Sequence, residues 1–214
     1  WKSLGLRVPH IFFQAGWYKK PFISLGNEVK HSGGKVILLS DNQFHGNLRQ
    51  LFGSLYYRLK YKHLFDAVWV PGASGKKLMK FYGVPKDKIF THLYSSNENI
   101  FQNGRKINLR SKQIIFVGRL IKVKGFKELI LAFNRFIKNN PEWKLIVVGE
   151  GPLSTFMPNN KNFKRYDFKN PEQVAKLMQE SRFLVLPSHE DHWPLVVNES
   201  VLCGCGLILS NKIG

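Results

Sequence analysis

Acidic residues are scarce in this sequence: 14 Asp and Glu stand against 33 Lys and Arg, a formal net charge of +19 over 214 residues. Up to Lys106 there are 17 basic and 5 acidic residues (17 − 5 = +12), and beyond it 16 and 9 (16 − 9 = +7). An excess of this kind selects for polyanions: nucleic acid, an anionic membrane surface or a phosphate-bearing substrate. Cysteine is almost absent. Cys203 and Cys205 in "LCGCGL" are the whole complement, and two ligands do not close a tetrahedral zinc site. In their apolar setting they read as buried, reduced thiols of a cytoplasmic protein. No run approaches the about 18 apolar residues of a membrane span, and neither a signal peptide, a repeat nor a low-complexity tract is visible. Trp1 stands where Met would open a chain and Gly214 directly follows a strand-like run, so both ends read as cut.

What is present is core material: 43% hydrophobic and 14% aromatic residues exclude disorder. Beyond Lys106, short apolar runs alternate with helical periodicity. "KQIIFVGRL", "KLIVVGEG", "NFKRYDF", "FLVLPS" and "LILS" read as strands, separated by helices in "GFKELILAFNRFIKNNP", "NPEQVAKLMQES" and "PLVVNESVLCG". Asn170, Pro171 and Gln173 form a capping-box pattern. The first half reads the same way, less sharply. Strands are expected in "HIFFQAG", "KVILLSDN", "AVWVPG" and "IFTHLY", with helices over 21–31, 47–64 and 75–82. The alternation predicts two α/β domains, each a parallel sheet covered on both faces, with the first lacking its opening strands. The polar stretch "SSNENIFQNGRKINLRSK" is the linker candidate, which sets the domains at 1–106 and 107–214.

In an open parallel sheet, ligands gather beyond the carboxyl ends of the strands. Three groups of residues fall there in the second half: Gly118, Arg119, Lys122 and Lys124; Gly149, Glu150 and Gly151; and His189 to His192. Arg119 and Lys124 can clamp a diphosphate, one as a bidentate fork and the other as a point charge. Two solvated cations at a helix start are the plainer alternative. Pro194 suits position N1 of the next helix, which puts Trp193 at the N-cap. Tryptophan has no oxygen for the N–H groups of Leu195 and Val196, so a ligand or water must accept from them. Glu199, one turn on, can take a diol, and Asp191 returns to the same mouth. In the first domain His45 is a candidate contact to acceptor or donor, with a locally satisfied histidine as the alternative.

"FVGRLIKVKG", "KLIVVGEGPL" and "VLPSHEDHWPLVVNESVLCGCGLILSNKIG" resemble the C-terminal domain of family 4 (group 1) retaining glycosyltransferases of the GT-B fold. "FDAVWVPG", "GVPKDKI" and "NENIF" are similar to the later part of their acceptor domain. The resemblance implies two Rossmann-like domains facing a cleft, residues 1–106 binding an acceptor and 107–214 a nucleotide-sugar donor. It implies hexose transfer with retention, without a bound metal or other cofactor, to a glycan or lipid-linked acceptor in cell-surface polysaccharide or lipopolysaccharide assembly. Carried over residue by residue, Arg119 and Lys124 hold the diphosphate and Glu199 the ribose. Asp191 faces the donor sugar, the backbone of Leu195 and Val196 meets sugar and phosphate, and Gly149 and Gly151 line the donor site. Asp191 departs from the family's usual Glu, and Pro194 from its usual Gly. The basic first half adds an anionic membrane surface as a partner, which places the protein in the cytoplasm or on the inner face of the plasma membrane. Two alternatives stand beside this: a catalytically weak nucleotide- or glycan-binding relative, and a basic nucleic-acid-binding α/β protein. Against the last, no nucleic-acid module is recognisable.

Overall fold

The computed structural model describes every residue except Lys2, Leu4 and Gly214. The described chain divides into two compact units, Trp1–Tyr94 and Ser95–Ile213.

The first unit runs β1 (Ile11–Ala15), α1 (Lys20–His31), β2 (Lys35–Leu39), α2 (Leu48–Lys60), β3 (Ala67–Trp69), α3 (Ala73–Phe81) and β4 (Ile89–Phe90). Its sheet is parallel throughout, in the order β1-β2-β3-β4. Each crossover steps the same way along that sheet, and right-handed crossovers that all step one way lay their helices on one face. The core follows that rule. Val36, Leu38, Val68 and Ile89 pack in one cluster with Val29 of α1, Tyr57 of α2 and Leu78 and Met79 of α3. Residues of the opposite parity, Ile11, Phe13 and Phe90, are each about half exposed. The expected sheet covered on both faces is therefore corrected here: within this unit the sheet is covered on one.

The second unit runs β5 (Gln113–Val117), α4 (Phe126–Phe136), β6 (Lys144–Val148), β7 (Phe163–Tyr166), α5 (Pro171–Glu180), β8 (Phe183–Leu186), α6 (Leu195–Leu202) and β9 (Gly206–Leu209). The parallel order is β7-β6-β5-β8-β9. The chain steps outward from β5 to β7, then returns to place β8 on the other side of β5. That reversal winds the sheet in both directions, and helices cover both faces. The central strands show it: Leu145 to Val148 and Leu184 to Leu186 are buried without alternation. Asn170 caps α5 in the expected capping box, its side chain accepting from the Gln173 N–H.

The boundary expected at Lys106 lies twelve residues earlier. The polar stretch after Tyr94 is not a free linker, because it carries Phe101, buried in the second core, and Arg110, 5% exposed. Arg110 donates to the main-chain oxygens of Arg105, Ser181 and Cys203 and to Asn103 Oδ1, at 2.6–3.3 Å. A composition-based reading sees a charged residue in a polar tract and misses that carbonyls, not water, receive it.

Candidate active site

The topological switch of the second sheet lies between β5 and β8, and their carboxyl ends are where its unusual residues meet. Two loops are fastened there by backbone contacts. The His189 N–H donates to the Val123 carbonyl at 2.8 Å, and Gly125 takes a left-handed φ of 66° directly beside the Pro187 carbonyl. A β-carbon at Gly125 would lie 2.1 Å from that oxygen, so only glycine lets α4 begin this close to the β8 loop. The turn after β6 closes on the β5 loop in the same manner. Leu120 N–H donates to the Glu150 carbonyl at 2.8 Å and Leu153 N–H to the Leu120 carbonyl at 3.0 Å. A β-carbon at Gly149 would meet the Gly118 carbonyl at 2.0 Å. Arg119 is held between these contacts, with Gly149 and Gly151 against its flanking residues.

The side chains divide sharply. Lys124 Nζ and Asp191 Oδ2 form a largely buried ion pair. The two residues assigned to phosphate and to sugar thus hold one another. Asp191 is fixed further by its own N–H, which donates to the Lys212 carbonyl at 3.2 Å. Arg119 is exposed, and its guanidinium has no hydrogen bond or ion pair among the described residues. Glu199 is half-buried and likewise has no partner among them; burial pushes its carboxyl above the usual range. A carboxylate partly out of water with nothing to compensate it is a group arranged for a ligand.

Helix α6 begins one residue later than expected. Pro194 is the N-cap, not N1, with extended φ and ψ of −76° and 104° and no side-chain cap. Val197 N–H returns to the Pro194 carbonyl at 3.0 Å, which leaves the N–H groups of Leu195 and Val196 as the open donors of this terminus. Trp193 therefore precedes the cap, and its indole Nε1 is buried with no partner among the described residues. Ser188 Oγ, fully buried just after β8, is in the same condition. From sequence, Trp193 stands out only as an N-cap without an oxygen and Ser188 not at all, although Ser188 occupies the strand end at which such residues gather.

His45 lies in the first unit, exposed, where its main-chain N–H donates to Gln50 Oε1 at 2.8 Å. Cys203 and Cys205 are buried free thiols, at the end of the sheet opposite Arg119. Burial raises the pKa of Cys203 to about 11, which keeps it protonated and inert.

Residues 97–214 match the family described as "Glycosyl transferases group 1", a span that begins two residues into the second unit. Among curated proteins, D-inositol 3-phosphate glycosyltransferase of Segniliparus rotundus is 26% identical over 156 residues, 64% of this chain and 34% of that protein. An uncharacterized glycosyltransferase of Haemophilus influenzae is 31% identical over 125 residues, 54% of this chain and 35% of that protein. The chain spans about a third of the length of the curated relatives it matches. Among solved structures, Anabaena HepE in complex with UDP superposes with a TM-score of 0.70 at 12% identity, over 95% of this chain and 60% of that one. A UDP-forming trehalose-phosphate synthase from Burkholderia xenovorans gives 0.68 at 14% identity, over 99% and 61%.

Proposed function

This chain belongs to the group 1 glycosyltransferases and has the α/β architecture of the GT-B fold, and on that premise we propose that it transfers a hexose-type sugar from a nucleotide-sugar, with retention, to a glycan or lipid-linked acceptor. One observation carries the proposal. Among the described residues, one end of one sheet holds an unpaired guanidinium, a lysine ion-paired to an acid, two open helix N–H groups and an unpartnered, half-buried carboxylate. A nucleoside diphosphate joined to a sugar presents the complementary set: two phosphates for the cations and amides, and hydroxyls for the carboxylates.

Chemistry assigns each group its moment. Transfer breaks the bond between the anomeric carbon and the β-phosphate oxygen, whose electron pair stays on that oxygen, and joins the anomeric carbon to an acceptor hydroxyl oxygen, whose proton passes to the departing diphosphate. Charge therefore grows on the diphosphate, where Arg119 as a planar fork and Lys124 as a compact charge offset it. The open amides of Leu195 and Val196 add the positive end of α6 at the same place. Glu199 accepts from the ribose hydroxyls, which relieves the cost of its burial. Asp191 is the sugar-facing acid, and its ion pair keeps Lys124 extended while the donor is away. When phosphate arrives, Lys124 shares its charge between two anions, and the carboxylate of Asp191 accepts from a sugar hydroxyl. Since the two solved relatives named above form or bind UDP, UDP-sugars are the first donors to test.

Thermal stabilisation tests the reading directly. UDP-, GDP- and ADP-sugars are screened against the protein, and one of them raises its melting temperature by mass action; at a hundredfold excess over Kd the gain is about 2.7 kcal/mol. No stabilisation by any of the three, with the sugar-free nucleotides equally silent, removes the donor-site assignment.

A further inference from the structure

Helix α2 is built inside out. Leu48, Leu51, Phe52, Leu55, Tyr56 and Leu59 follow the i, i+3, i+4, i+7 spacing that marks the core-facing stripe of a helix, yet each is at least half exposed. The residues it turns inward are Gln50, Ser54 and Tyr57, with Gly53 between them. In the second unit α4 does the opposite and buries Phe126, Leu129, Ile130 and Phe133. The orientation of α2 is not free to reverse. Gln50 accepts from the N–H groups of His45 and Gly46 and donates to the Gln43 carbonyl, at 2.6–3.0 Å. Ser54 Oγ donates to the Phe81 carbonyl at 3.1 Å. A β-carbon at Gly53 would lie 2.7 Å from Tyr82 Oη. Rolling the helix to bury its leucines would break these bonds and drive larger side chains into the space that Gly53 leaves.

The charge along this stretch of chain is of one sign. No Asp or Glu occurs between Asp41 and Asp66, while Arg49, Arg58, Lys60 and Lys62 all fall in that interval, Arg58 donating as well to the Tyr82 and Phe81 carbonyls at 3.1 and 2.9 Å. Beside it, Trp17 stacks its ring edge against Tyr57 and Tyr61, and the next residues are Tyr18, 79% exposed, and Lys19 and Lys20. An apolar helical face of about 20 Å, rimmed by cations and flanked by an exposed tyrosine, matches a bilayer interface with acidic headgroups. A protein partner or a second copy would have to bring acidic groups to the same rim, and a second copy carries the same positive charge. We propose that α2 lies in the plane of an anionic membrane surface, its leucines and Phe52 between the lipid chains and its basic rim among the headgroups. This goes beyond the transferase reading and is tested by partition, not turnover, so the failure of one leaves the other standing.

The test is sedimentation of the full chain with vesicles of phosphatidylglycerol or of phosphatidylcholine. Binding to phosphatidylglycerol is expected to exceed that to phosphatidylcholine by about tenfold or more and to weaken in high salt. The double substitution F52S/L55S alters two exposed side chains, leaves the inward hydrogen bonds intact and lowers that binding by about tenfold or more. Equal binding to both vesicles, or binding untouched by F52S/L55S, overturns the proposal. So does a dimer without lipid that F52S/L55S dissociates, which would make the occupant a second copy. Failure of a thiol reagent to label L55C in vesicle-free monomer would overturn it in favour of another segment of the protein.

Discussion

The two ends of the second sheet use their polar groups in opposite ways. At the amino end Arg110 satisfies carbonyls from three separate stretches of chain, and its own carbonyl accepts from Arg182 Nε at 3.0 Å. The buried thiol of Cys205 donates to the Met178 carbonyl at 3.2 Å. Polar groups at that end answer one another. At the carboxyl end Arg119, Glu199, Ser188 Oγ, the Trp193 indole and the first amides of α6 have no partners among the described residues. One end is closed on itself and holds the fold; the other is kept open by glycines that let loops approach without filling the space. A sheet that binds a polar ligand needs both, since rigid closure at one end lets unsatisfied groups persist at the other.

The largest effect expected is at the closed end. Arg110→Met leaves three buried main-chain carbonyls without their charged donor, which costs about 3–5 kcal/mol. Urea denaturation would show the midpoint fall, while the folded protein retains its KM for the donor. A stable R110M protein would break the comparison, because the amino end would then not be the fastening. Slightly smaller, and of opposite kind, is Arg119→Ala. If Arg119 offsets charge on a leaving diphosphate as proposed, its loss lowers kcat/KM by about a hundredfold to a thousandfold, while stability changes by no more than about 0.5 kcal/mol, as expected of an exposed side chain without partners among the described residues. Should R119A lower stability as much as activity, Arg119 is a structural residue and the open end is not open.

How far these differences could be read from sequence depends on what each end is made of. The carboxyl end was legible because its residues violate the local pattern: cations at a helix start, glycines after apolar strands, an acid inside a hydrophobic helix. The capping box of α5 was legible for the same local reason. Arg110 was not, since two of the carbonyls it meets lie 71 and 93 residues further on and a charge in a polar tract resembles a solvated one. The pairing of Lys124 with Asp191, 67 residues apart, is equally non-local; sequence placed both at the mouth but not against each other. The single covered face of the first sheet follows from strand order, which periodicity does not reveal. The reversed α2 followed the same failure: its stripe has the period of a core helix, and only the hydrogen bonds of Gln50 and Ser54 decide which side faces in.

The finest test is Glu199→Gln, because the comparison gives it effects of opposite sign on stability and activity. With burial holding the Glu199 carboxyl above its ordinary range, the ionised form is penalised in the folded state and not in the unfolded one. That penalty is fully present above the folded pKa and disappears as pH falls below the unfolded value of about 4.3. At pH 7 the neutral amide therefore melts higher than the carboxylate. The difference closes as the pH is lowered through the raised pKa, because Glu199 then becomes neutral too. An amide also accepts less strongly from a diol, so donor affinity falls by about tenfold, the worth of a hydrogen bond to a charged group. Melting curves of the two proteins from pH 4 to 8, with and without donor, separate the two effects. If E199Q instead melts lower at pH 7, the carboxylate is stabilised within the fold, and the contrast between a satisfied end and an unsatisfied one fails at Glu199.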